Sequence, residues 1–218
     1  MCGRFVNLTK INKLKKQFDI KNSTLKDIVS YNIAPSQISC VIIKKKEMIL
    51  DAAKWGYSFY DKKVNQQKNI INSRIETIKN KILFKESYFN RKCLIPINGY
   101  YEWTIKENKK IPIFIHIPPC EPMYLAGIWK YIDFNQSSKK IFSVITKNAN
   151  NKLVKIHHRM PIILSTLEGE NYLNDHGCSF LDDYYSSNLE TDLDFYRVSN
   201  FVNNPLNNSK ECIKIVKN

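Results

Sequence analysis

Residues 93–103 read CLIPINGYYEW. Two apolar runs flank Asn98-Gly99, a dipeptide suited to the tight turn of a β-hairpin. The pattern predicts two antiparallel strands joined at Asn98-Gly99. Beyond the turn, side chains alternate between faces, so Tyr100 and Glu102 point one way and Tyr101 and Trp103 the other. Glu102 is the only acid in this run. If buried, its charged form is disfavoured and its pKa rises toward the range that suits proton transfer near neutral pH. If it faces solvent, it is an ordinary strand carboxylate.

Outward from this stretch, similar short runs recur. SCVIIK (39–44), IPIFIHI (111–117), MYLAGIW (123–129), IFSVIT (141–146) and PIIL (161–164) are bounded by turn residues, as strands are. LTKINKLKKQFDI (8–20) places Leu8, Ile11, Leu14 and Phe18 three and four apart, which predicts an amphipathic helix with its lysines outside. NANNKLVKI (148–156) reads as a shorter helix, and Ser165 with Glu168 fits a capping box at the start of another. Strands outnumber helices and no βαβ alternation is present. The class is α+β, mainly antiparallel, and without repeats or linkers the chain reads as one domain over residues 1–218.

The 218 residues carry a net charge of +14, which favours a polyanionic partner, nucleic acid first. Lys, Asn and Ile are abundant throughout, so part of that charge reflects composition. No apolar run is long enough to span a bilayer, which argues against a membrane partner. The N-terminus lacks a signal peptide's apolar stretch, so a cytoplasmic protein is expected. The six cysteines include no CxxC pair, so they are expected to be thiols and no structural metal is expected.

Three further stretches carry chemistry. IHHRMPIIL (156–164) sets His157, His158 and Arg159 before Pro161, in a loop or extended segment. Histidine moves protons near neutral pH, and arginine grips phosphate bidentately. Adjacent histidines in an extended segment face opposite ways, which disfavours a metal site. In NSRIET (72–77), Asn72 and Arg74 share a face if the chain is extended and can hold a sugar or phosphate oxygen. In WGY (55–57), Trp55 beside Gly56 is either core or a stacking surface for an unpaired base. Finally, the chain opens MCGRF. Removal of Met1 would leave Cys2 with a free α-amine and a thiol on one residue.

MCGRF, YNIAPSQ, KWG, NSRIET, RKCLIPINGYYEW, LAGIWK, ITKNAN, HHRMPIIL and VNNPLNN occur in an order that resembles the SRAP family. These are proteins once called SOS-response-associated peptidases, which shield abasic sites in single-stranded DNA. The resemblance runs from Met1 nearly to Val216. It implies a barrel-like core of antiparallel strands with flanking helices. It also implies catalytic roles for Cys2, Asn72, Glu102 and His157, leaving His158 at a variable position. Arg74 and Arg159 would hold flanking phosphates, Trp55 or Trp103 would fill the space beside the missing base, and Gly3 and Arg4 would lie against the DNA. Ser73, Asn98 and Lys130 depart from residues common in the family. No cofactor is implied. The expected partner is abasic single-stranded DNA, met by a monomer associated with the nucleoid.

On this resemblance, the Cys2 amine attacks the open-chain aldehyde of an abasic site and the thiol closes a thiazolidine ring. An internal cysteine has only an amide nitrogen and cannot do this. Two other classes stay open: a thiol peptidase with Cys2 as nucleophile and His157 as base, and a non-covalent single-strand binding module.

Overall fold

The computed structural model describes residues 2–61, 64–134, 137–176, 178–182 and 185–216. In chain order the first half contains β1 (Arg4–Asn7), α1 (Ile11–Gln17), β2 (Ser30–Ile33), β3 (Ile38–Lys44), β4 (Met48–Trp55), β5 (Tyr57–Asp61), β6 (Gln66–Ile70), β7 (Asn72–Arg74), α2 (Ile75–Ile78) and α3 (Ile82–Asn90). The second half contains β8 (Lys92–Ile97), β9 (Gly99–Lys106), β10 (Lys109–His116), β11 (Met123–Phe134), β12 (Ser137–Asn148), β13 (Arg159–Pro161), β14 (Ile163–Leu164), α4 (Thr166–Asn174) and β15 (Asp194–Arg197).

The apolar runs are strands, but Asn98-Gly99 is not a hairpin turn. β8 pairs with β3 and β11, whereas β9 pairs with β1 and β10 in a different sheet. The dipeptide is the corner where the chain changes sheets. Asn98 is tied to distant segments: its backbone N–H donates to Val6 O at 2.8 Å, and its Oδ1 accepts from Leu8 N at 2.7 Å. Gly99 is required by crowding. A Cβ there would lie 2.3 Å from the Phe114 ring and 2.8 Å from Ile115 O.

One sheet runs β15-β10-β9-β1-β2. In the other, β12-β4-β3-β8-β11 closes into a ring because β11 also pairs with β12. This is the barrel-like core. All its pairings are antiparallel except β4 with β12. Alternation along the ring strands separates two cores. Cys40, Ile42, Leu94, Tyr124, Ala126 and Ile128 pack under the helices with Ile11, Leu14, Ile78, Phe84 and Tyr172. Val41, Ile43, Cys93, Ile95, Leu125 and Phe142 pack with Phe5, Tyr100 and Ile115 of the five-stranded sheet. That shared core makes the chain a single domain.

The α1 helix buries Ile11 and Leu14 as its spacing requires, and Ser165 with Glu168 completes the capping box of α4. Two expectations change. NANNKLVKI forms successive turns, not a helix, because Asn150 Oδ1 accepts from Lys152 N and Leu153 N and offers the backbone a local alternative. PIIL is split: β13 pairs with β12 and β14 with β11, while Ile162 links the two through Ile145 O and Ala126 N.

Candidate functional site

The start of the chain is drawn into the core between the sheets. Cys2 is wholly buried. β7 lies parallel to β12, with Asn72 opposite Val144, and this directs the Asn72 amide inward. Asn72 Nδ2 donates to the Cys2 carbonyl at 2.8 Å. Alternation along β9 brings Glu102 to the same inner face as Tyr100, where it is 4% exposed.

Cys2 and Glu102 act on each other's charge. Burial pushes the Cys2 thiol well above its usual range, and the Glu102 charge pushes it further. Burial also raises the Glu102 carboxyl to about 7. The His157 imidazole is held below its usual range, first by burial. Cys2 and Glu102 therefore share one electrostatic neighbourhood, and Asn72 fixes the backbone of Cys2. Arg159 N donates to His157 Nδ1 at 2.9 Å, so the neutral ring carries its proton on Nε2.

The family profile described as SOS response associated peptidase (SRAP) matches residues 1–205. The chain belongs to the SRAP family. Its relatives include YoaM of Bacillus subtilis, named an abasic site processing protein, which is 33% identical over 225 residues, with 98% of this chain and 97% of the relative covered. YedK of Escherichia coli carries the same descriptive name and is 30% identical over 177 residues, covering 76% of each chain. A crystal structure of a protein from Bacteroides thetaiotaomicron has the same fold, with a TM-score of 0.80, 22% identity, and coverage of 99% of this chain and 100% of that one.

In this SRAP chain Cys2, Asn72 and Glu102 meet in the core, while the expected DNA contacts separate. Arg74 is exposed at the end of β7, two residues from Asn72, and Gly3 is half-buried beside Cys2. Arg4 and Trp103 lie on the other side of the five-stranded sheet. Arg4 is opposite Tyr101 in the register, and its guanidinium donates to Asn32 Oδ1 and Val202 O, both at 2.8 Å. It also sits 5.8 Å over the Trp103 ring, while Trp103 Nε1 donates to Asn203 Oδ1. Sheet alternation thus keeps both residues off the face that holds Glu102.

Trp55 offers no stacking surface. It is wholly buried, parallel to Phe142, and its Nε1 donates to Ile71 O at 3.0 Å. Arg159 is not a free phosphate grip either. It is 5% exposed, and its guanidinium holds Glu76 through two hydrogen bonds of 2.5 and 2.9 Å and Thr146 O at 2.7 Å. Glu76 went unnoticed in the sequence because its partner lies on a strand far along the chain. His157 and His158 do not point apart. Their rings stack at 4.4 Å because this segment is a bend, not a strand. Among the described residues no cluster of His, Cys, Asp or Glu is arranged to hold a metal.

Proposed function

We propose that this chain processes abasic sites in single-stranded DNA by bonding covalently to the damaged sugar through Cys2. Support comes from the SRAP relatives named for abasic site processing and, above all, from one arrangement: Cys2 held by Asn72 next to a carboxyl poised near neutral pH. Met1 lies outside the described residues, and the reaction requires its removal.

The Cys2 amine adds to the C1′ aldehyde, forming a C–N bond. The aldehyde oxygen takes up protons and leaves as water, giving a Schiff base. The thiol sulfur then bonds to C1′, and its proton passes to the ring nitrogen. Each step moves a proton over a short distance. A carboxyl near pH 7 can accept it from the amine or thiol and return it to the departing oxygen. His157, with its proton on Nε2, serves the sugar ring oxygen during opening. Arg159 acts through position: its ion pair with Glu76 fixes the segment whose backbone N–H orients His157. Exposed Arg74 meets a flanking phosphate, and the +14 charge draws the strand in. The protein works as a single chain in the cytoplasm, on the nucleoid. The raised thiol pKa leaves little thiolate, which favours the amine-first route over a thiol peptidase.

The test is a denaturing gel of the Met1-processed protein incubated with an oligonucleotide carrying one abasic site. A stable adduct without reductant is expected for wild type. Cys2→Ala should leave at most a borohydride-dependent Schiff base. A reductant-free adduct of equal yield from Cys2→Ala, or from protein with its amine blocked, overturns the reading.

A further inference from the structure

The chemistry above leaves Tyr100 without a task. Its side chain is wholly buried, in the same apolar core as Cys2, on the face of β9 that carries Glu102. Opposite it in the register is Phe5 of β1, shortly after Cys2 in the chain. The Tyr100 hydroxyl is buried and has no hydrogen-bond partner among the described residues. Tyr101 donates to Tyr31 O, Tyr124 to Gln17 Oε1 and Tyr172 to Gly127 O, whereas the buried Tyr57 hydroxyl, in the other core and away from Cys2, also lacks a partner among the described residues. Phenylalanine would fill the same space as Tyr100 without stranding a polar group, so the hydroxyl calls for a partner that arrives with the substrate. Asn72 Oδ1, on the residue that holds Cys2, is likewise buried without a partner.

Burial holds the phenol proton far more tightly than usual, and the charges of Cys2, Glu102 and Glu190 reinforce this. The group is therefore a neutral donor at any working pH. The reaction at Cys2 brings two acceptors into this core: the lone pair of the Cys2 amine and the oxygen of the aldehyde. A hydrogen bond to the amine would blunt the nucleophile. A hydrogen bond to the oxygen would stabilise the charge that grows there as the C–N bond forms.

We propose that Tyr100 is a catalytic residue whose O–H donates to the aldehyde oxygen of the ring-opened abasic sugar. This rests on the Schiff-base reading above. The amine lone pair forms the C–N bond and the carbonyl π pair moves to oxygen. The proton lost by nitrogen passes by way of Glu102 to that oxygen, which later leaves as water. Tyr100 keeps its own proton throughout and supplies only the hydrogen bond.

The experiment compares wild type and Tyr100→Phe in two measurements. One is the single-turnover rate of adduct formation on an abasic single strand. The other is affinity for the same strand with a tetrahydrofuran residue, which lacks the C1′ oxygen. Loss of one donor aimed at developing charge should slow the adduct by about 10²–10³-fold. Tetrahydrofuran binding and the thermal midpoint should not fall. An unchanged adduct rate overturns the donor role. A matching loss of tetrahydrofuran affinity overturns it too, because the side chain would then act by packing. Wild-type protein that forms no Cys2-dependent adduct removes the underlying reading, and it is run in the same series.

Discussion

Replacing Glu102 with glutamine should make the protein more stable above neutral pH while disabling it. Glu102 is 4% exposed, and burial moves its carboxyl from 4.5 to about 7. The folded state thus holds this proton more tightly than the unfolded state. The penalty is nearly absent below pH 4.5, grows as the pH rises, and is complete above pH 7. At about 1.4 kcal/mol per tenfold change in proton affinity, the full penalty is about 3 kcal/mol. Unfolding by urea, followed at pH 5 and at pH 8, isolates it. Relative to wild type, Glu102→Gln should gain about 2–3 kcal/mol more at pH 8 than at pH 5. For a chain of this size that is a relative rise in melting temperature of about 2–4 °C per kcal/mol. In the adduct assay the same variant should be slower by about 10²–10⁴-fold, because the proton carrier is gone. A stability difference that does not change with pH would show that the carboxyl is not held in its neutral form. A wild-type adduct rate would show that the carboxyl does not carry the proton.

Asn72→Ala removes the hydrogen bond to the Cys2 carbonyl; adduct formation should slow more than affinity for undamaged DNA falls, as measured by time course and by binding titration. Arg159→Ala leaves Glu76 without its bidentate partner and should destabilise the fold by about 3 kcal/mol in urea. Arg74→Ala should stay within about 0.5 kcal/mol of wild type in the same assay. Its single-strand affinity should fall, with the salt slope of binding reduced by about one unit. His157→Ala should slow the adduct, whereas exposed His158→Ala should stay near wild type; the opposite result would exchange their roles.

Which segments become strands was legible from local pattern. The alternation in IPIFIHI and IFSVIT and the spacing of Ile11, Leu14 and Phe18 survive folding because burial repeats with the period of the element itself. The pairing of Tyr100 with Glu102 on one face was legible for the same reason. Partner choice was not legible. Asn98-Gly99 has the composition of a hairpin turn, yet its hydrogen bonds go to Val6 and Leu8, and only those distant segments make it a corner between sheets. Arg74 and Arg159 look alike as phosphate ligands in a linear chain. The register of β13 on β12 seals Arg159 against Thr146 and Glu76, while β7 ends with Arg74 in solvent. The tertiary structure also decided the environment of Glu102. Its proton affinity depends on how much water two sheets exclude, and that burial is built by residues from every part of the chain.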